Sequence, residues 1–218
     1  MTAVLLVRHG QASWGAADYD VLSELGERQS RLVGEALGAR IRPDVVVHGA
    51  MRRQRETAAR LAQAAGWTAP LREDPGWDEM NHLQVLARHP QSFAGDAPTP
   101  REFQAWFEAA TERWTGGEFD HEYDESFASF SARVSRALAT LVQAVPDSGT
   151  AVVVTSGGPI ARIAADLLGG ALDVHRRLAP VVVNASVTKV LVGARGCTLV
   201  SFNDHAHLET EDGLLSYR

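Results

Sequence analysis

The feature that most constrains the fold is a threefold repeat of pattern. A short valine-rich run leads each time into a segment with helical periodicity. The runs are Ala3–Val7, Val45–Val47 and Ala151–Val154. None alternates polar with apolar residues, as expected of parallel strands covered on both faces. The first leads into Ser23–Ala39, where Leu25, Leu32, Val33, Ala36 and Leu37 form one stripe. The second leads into Arg52–Ala65, with Ala58, Leu61, Ala62 and Ala65 inward. The third leads into Pro159–Leu168, with Ile160, Ile163, Ala164 and Leu167 inward and Gly169-Gly170 as the stop. Strand followed by helix, three times over, predicts a three-layer α/β/α domain.

The chain end breaks the pattern. Ser186–Val192 and Cys197–Phe202 flank Gly193-Ala194-Arg195-Gly196 and read as a hairpin, so the sheet is predicted to be mixed but mostly parallel. Between about 80 and 146 the chain reads as an inserted helical section of a single 1–218 domain. Thr99-Pro100-Arg101-Glu102 has capping-box spacing with proline at the first helical position. A second helix is expected from Phe127 to Val145, ending before Pro146-Asp147-Ser148-Gly149. The 80–120 portion is a candidate cover for the active site, although core packing explains its aromatic residues as well.

Composition excludes several classes of protein. Hydrophobic residues at 45% and charged residues at 22% are ordinary for a globular chain. No run reaches the roughly 20 apolar residues that span a bilayer, and Ala3–Val7 is too short for the apolar core of a signal peptide. A cytoplasmic location without membrane association is the expectation. The net charge of −6 argues against nucleic acid as a partner. Of 21 basic residues only Lys189 is lysine, so position rather than number must single out any arginine. The lone Cys197 excludes an internal disulfide and a cysteine-based metal site. His82, His89, His121 and His175 read as exposed histidines, and His205 with His207 lack the carboxylates of a zinc site.

Ligands in open α/β sheets bind beyond the carboxyl ends of the strands. Arg8-His9-Gly10 follows the first strand there. His48 and then Arg52, Arg53 and Arg55 follow the second, and Thr155-Ser156-Gly157-Gly158 follows the third. Guanidinium forks and the free N–H groups of a helix start both suit phosphoryl oxygens, so this edge reads as an oxyanion pocket with a nucleophile in it. Arg52 and Arg55 read instead as a solvated helix face. Trp14 either lines the pocket mouth or packs, and Asp18 and Asp20 read as loop carboxylates.

Leu6-Val7-Arg8-His9-Gly10 resembles the Arg-His-Gly signature of the histidine phosphatase (phosphoglycerate mutase-like) superfamily. Leu22–Gln29 is similar to its leucine, glycine and glutamine pattern, and Arg53-Gln54-Arg55-Glu56-Thr57-Ala58 to its Arg-Ala-x-x-Thr-Ala segment. Asp74–Glu79, Glu125-Ser126 with Arg133-Val134, Gly157-Gly158 and His207-Leu208 continue the resemblance along nearly the whole chain. It implies a metal-independent, cofactor-free phosphomonoesterase acting on a small phosphorylated metabolite, in a fold of the phosphoglycerate mutase type. A homodimer is common in that family. His9 would be the nucleophile, kept unprotonated by neighbouring cations. Arg8 and Arg53, with Ser156 and Gly157, would hold the phosphoryl group, and Glu79 would serve as acid and then base. Glu73, six residues earlier, is a rival acid.

One position departs from the pattern: Ser156 stands where a second histidine usually precedes the two glycines. Three readings of Ser156 remain open: its hydroxyl replaces the imidazole as donor, His48 reaches the same pocket, or the protein binds phosphate compounds without turnover. A mutase is a further alternative. Gln11-Ala12-Ser13-Trp14-Gly15-Ala16 lacks the asparagine and the longer loop of cofactor-dependent phosphoglycerate mutases, which favours the phosphatase.

Overall fold

The computed structural model describes residues 1–13, 19–93 and 98–217. Trp14 and Asp18 lie outside the described residues. In chain order the elements are β1 (Thr2–Arg8), α1 (Glu24–Gly38), β2 (Val45–His48), α2 (Arg52–Ala65), β3 (Leu71–Glu73), α3 (His82–Ala87), α4 (Pro100–Gly116), α5 (Phe127–Ala144), β4 (Thr150–Thr155), α6 (Gly157–Leu167), α7 (Leu172–Leu178), β5 (Val187–Gly193) and β6 (Gly196–Asp204). Two compact units are distinguished: residues 1–79 with 134–218, and residues 80–133.

The first unit holds a six-stranded sheet in the order β3-β2-β4-β1-β5-β6. Its four strands from β3 to β1 run parallel, and β5 and β6 are antiparallel additions. The mostly parallel mixed sheet is therefore as expected. The three-residue strand β3 was not anticipated, because Leu71, Arg72 and Glu73 are all exposed and carry no apolar signal.

Strand alternation divides the core between the two faces. Leu5, Val7, Val46, Val152 and Val154 join Val33 and Leu37 of α1 and Ala58, Leu61 and Ala65 of α2 in one buried cluster. The alternate residues Val4, Leu6 and Val153 are also fully buried, as are Ile160, Ala161 and Ala164 of α6. Together they make the three layers. Parallel strands place β1, β2 and β4 with their carboxyl ends at one edge, where Arg8 is in register with Thr155 and His48 with Val154.

Helix α6 begins two residues before the expected Pro159. Ser156 occupies the N-cap position, and the two glycines form the first turn rather than a separate loop. Their N–H groups consequently point out of the helix start, where no intrahelical acceptor exists.

The second unit contains α3, α4 and the start of α5. Thr99 and Glu102 form the anticipated capping box on α4. Trp114 packs edge-on against Phe127 and Phe130, with ring centroids 5.2 and 5.5 Å away. Glu125 and Arg133 pair through two hydrogen bonds of 2.7 and 2.8 Å. Among the described residues no helix is long and apolar enough to cross a membrane.

Candidate active site

His9 is the first residue past β1 and is buried. Its backbone is held on several sides: its N–H donates to the Thr155 carbonyl at 2.8 Å, and Asn184 Nδ2 donates to its carbonyl at 3.1 Å. Ala185 adopts the left-handed region at φ 58° and turns its N–H toward the carbonyls of both Arg8 and His9. A residue without glycine's freedom held there is strained backbone maintained by its surroundings. Gly10 follows because nothing larger fits: a Cβ there would meet the Gly26 carbonyl oxygen at 2.3 Å. The loop is pinned further by Gly10 N–H to Thr57 Oγ1 at 3.0 Å and by Gln11 N–H to Gln29 Oε1 at 2.9 Å.

The imidazole is oriented at both nitrogens. Nδ1 lies 2.7 Å from the Gly10 carbonyl, which can only accept, so Nδ1 carries the proton. Nε2 is then the basic nitrogen, and it accepts from Arg53 Nε at 3.1 Å. Burial, followed by the charges of Arg53 and Arg8, holds the ring pKa well below the ordinary histidine value. His9 is thus neutral near pH 7, with its lone pair facing a cation.

The two arginines are bound differently. Arg53, buried on the first turn of α2, donates through Nη1 to Asp20 Oδ1 at 2.6 Å and lies 5.7 Å from the centre of the Tyr19 ring. Arg8 donates through Nη1 to the carbonyls of Val182 and Tyr217. Its Nε is buried and has no acceptor among the described residues. Burial lowers the Arg8 pKa to about 10, which still leaves it charged at neutral pH. Gly157 sits directly beside this guanidinium: a Cβ there would lie 3.7 Å from Arg8 Nε.

Glu79 reaches the same helix start. Its Oε2 accepts from the Gly158 N–H at 2.9 Å, and a Cβ on Gly158 would fall 2.1 Å from Oε1. Glu73 lies instead on the exposed edge strand. Ser156 is buried, and its Oγ accepts from Gln54 Nε2 at 2.9 Å. His48 is buried as well, with Nδ1 2.8 Å from its own Gly49 carbonyl. No hydrogen bond joins it to His9, Arg8, Arg53 or Ser156 among the described residues. Arg52 and Arg55 are exposed, as expected.

Hence Arg8, His9, Arg53, Glu79, Ser156 and Gly157 all gather at one edge of the sheet. Several partners were not foreseen. Asp20, read as a loop carboxylate, is the ion-pair partner of Arg53. Asn184 and Gln54 gave no sequence signal beyond being polar. Gln29 and Thr57 lay within the family-like segments and could have been named from them. His175, read as exposed, is buried on α7; burial and the charge of Arg162 push its pKa down to about 4.

Comparison with known proteins identifies the family. Residues 4–205 match the Histidine phosphatase superfamily (branch 1). The chain belongs to the histidine phosphatase superfamily, whose members are phosphatases or mutases. It is 29% identical to the "Probable phosphoglycerate mutase GpmB" of Yersinia pestis, over 96% of each chain. Among solved structures it resembles mycobacterial glucosyl-3-phosphoglycerate phosphatase in complex with VO3, with TM-score 0.68 and 25% identity over 93% of this chain and 99% of that one. The fold is also that of a phosphoserine phosphatase variant from Entamoeba histolytica in complex with phosphoserine, with TM-score 0.70 and 21% identity over 95% and 100% of the two chains.

Proposed function

We propose that the protein hydrolyses a small phosphomonoester through a phosphohistidine on His9. The observation that carries this reading is the state of His9: neutral, with Nδ1–H tied to the Gly10 carbonyl and the Nε2 lone pair turned to the cationic group Arg53. An incoming phosphoryl oxygen takes the Arg53 Nε–H in place of the imidazole, freeing that lone pair. Nε2 then forms a bond to phosphorus as the ester P–O bond breaks. The growing negative charge on the phosphoryl oxygens is met by Arg53, by the buried Arg8 Nε–H and by the outward N–H of Gly157. Glu79 supplies a proton to the departing alkoxide. In the second half-reaction it takes a proton from water, whose oxygen attacks phosphorus and restores neutral His9.

A mutase is the second reading, favoured by the name of the Yersinia relative. It shares the first half-reaction and then returns the phosphoryl group to another hydroxyl of the substrate. The test is release of inorganic phosphate from a panel of phosphomonoesters in the presence of a chelator, comparing wild type with His9→Ala, alongside interconversion of the two phosphoglycerates. Chelator-resistant release that vanishes in His9→Ala supports the phosphatase. Interconversion without release supports the mutase, and neither activity overturns both.

A further inference from the structure

Gln54 is fully buried on α2, one residue after Arg53, where a long polar side chain is costly unless its amide is used. Its Nε2 lies 3.3 Å from the Trp77 carbonyl and 2.9 Å from Ser156 Oγ. A carbonyl only accepts, so the nitrogen must be the atom that faces Trp77, which settles the orientation of the amide. The second N–H on that nitrogen is then donated to Ser156. The serine hydroxyl, acting as acceptor toward Gln54, keeps its own proton to donate elsewhere.

Three further facts show that this arrangement is built in. Ser156 is the N-cap of α6, yet its side chain makes no capping hydrogen bond. The N–H of Gly158 is taken by Glu79, and position 159 is proline, which has none. The serine is therefore released from the usual duty of its position. Gln54 Oε1 is buried without a partner among the described residues and presses on Gly49, where a Cβ would lie only 1.9 Å from it. The loop after β2 thus accommodates this amide by having no side chain there.

We infer that Gln54 is a positioning residue that holds the Ser156 hydroxyl as a hydrogen-bond donor toward the phosphoryl group. This rests on the reading of the site as a phosphoryl pocket. Ser156 stands where a second histidine usually precedes the two glycines, and Gln54 is the side chain that meets it. Gln54 touches no reacting atom itself; it acts through the serine. His48, held to its own Gly49 carbonyl, has no part in the pair.

The test compares wild type, Gln54→Met, Ser156→Ala and the double variant, reading kcat and KM on an alkyl phosphate and the affinity for inorganic orthovanadate by calorimetry. Methionine keeps the packing volume of glutamine and removes its N–H donors. A lost oxyanion donor lowers kcat by about 10²–10³, so Ser156→Ala is expected in that range and Gln54→Met about tenfold or more below wild type, each with KM little changed. The double variant falls no lower than Ser156→Ala, and Ser156→Thr, which keeps a hydroxyl, retains most of the rate. Losses that multiply, or a Gln54→Met variant with altered Tm but wild-type kcat, overturn the inference. Absence of His9-dependent turnover in the wild type overturns the phosphatase reading instead. The pair is then judged on orthovanadate alone: equal affinity in wild type and Gln54→Met refutes it, and coupled weakening in the two single variants sustains it.

Discussion

Replacing Gly158 with alanine separates acid catalysis from phosphoryl binding. The added Cβ would sit 2.1 Å from Glu79 Oε1 and 2.9 Å from its Cδ, so the carboxyl oxygen must withdraw by more than ~1 Å to reach an ordinary contact. The 2.9 Å bond from the Gly158 N–H is bent or lost with it. Misplacing a reacting group by about 1 Å commonly costs about 10²-fold in rate. Stability changes little by comparison. The hydrogen bond is worth about 0.5–1.5 kcal/mol, alanine in a helix regains about 0.5–1 kcal/mol over glycine, and water can solvate the displaced carboxyl group. The assay is the pre-steady-state rate of alcohol release, which reads the first half-reaction alone, on two esters: an alkyl phosphate, whose alkoxide needs a proton to leave, and p-nitrophenyl phosphate, whose phenolate does not. We expect about a 100-fold loss on the first and less than about tenfold on the second, with Glu79→Gln showing the same split and Glu73→Gln neither. Equal losses on both esters would mean that the methyl group damages phosphoryl binding, and unchanged rates on both would remove Glu79 from the mechanism.

Three other outcomes follow from the geometry. Because burial and the two arginines hold His9 neutral, an NMR titration of its ring should show no midpoint near pH 6.5, and Arg53→Met should move the midpoint upward. Asp20 engages Arg53 Nη1 from a partly exposed position, so Asp20→Asn should lower KM severalfold, in line with an ion pair worth about 1 kcal/mol or less; an unchanged or higher KM refutes competition for the guanidinium. His175 is held neutral with its folded pKa near 4, below its unfolded value of about 6.5. The unfolded chain therefore binds the extra proton first, and stability falls as pH drops from about 6.5 toward 4, by about 2 kcal/mol at pH 5 from this residue. Urea unfolding at pH 7 and pH 5 should show that loss, and His175→Gln should diminish it.

The strands and helices that carry the site were legible because their signals are local. A valine run followed by a 3.6-residue stripe needs no knowledge of the rest of the chain, and Arg8, His9 and Gly157 follow from standing just past such runs, whereas only the resemblance to the Arg-Ala-x-x-Thr-Ala segment singles out Arg53 from Arg52 and Arg55. What could not be read depends on meetings across the sequence. Gln54 and Ser156 are 102 residues apart, and Asn184 and His9 are 175 apart. Nothing near either residue distinguishes a buried amide from one on a solvated helix face. Asp20 escaped for the opposite reason: a carboxylate beside a turn is ordinary until the arginine facing it is known. The short edge strand β3 and the buried His175 were missed because exposure of one and burial of the other are set by neighbours, not by their own residue types.

The position of β1 bears on how the protein acquires its shape in time. Its partners are residues 150–155 on one side and 187–192 on the other, so the first strand of the chain has no local pairing at all. Closing so long a loop must precede any return from the contacts it allows, and high contact order slows folding. During synthesis the segment bearing His9 emerges before both of its partner strands and must wait for residues 150–155 and 187–192 before its sheet exists. Refolding followed by two probes should show this ordering: fluorescence from Trp67, packed near α1 and α2, should settle before the imidazole of His9 becomes protected from solvent.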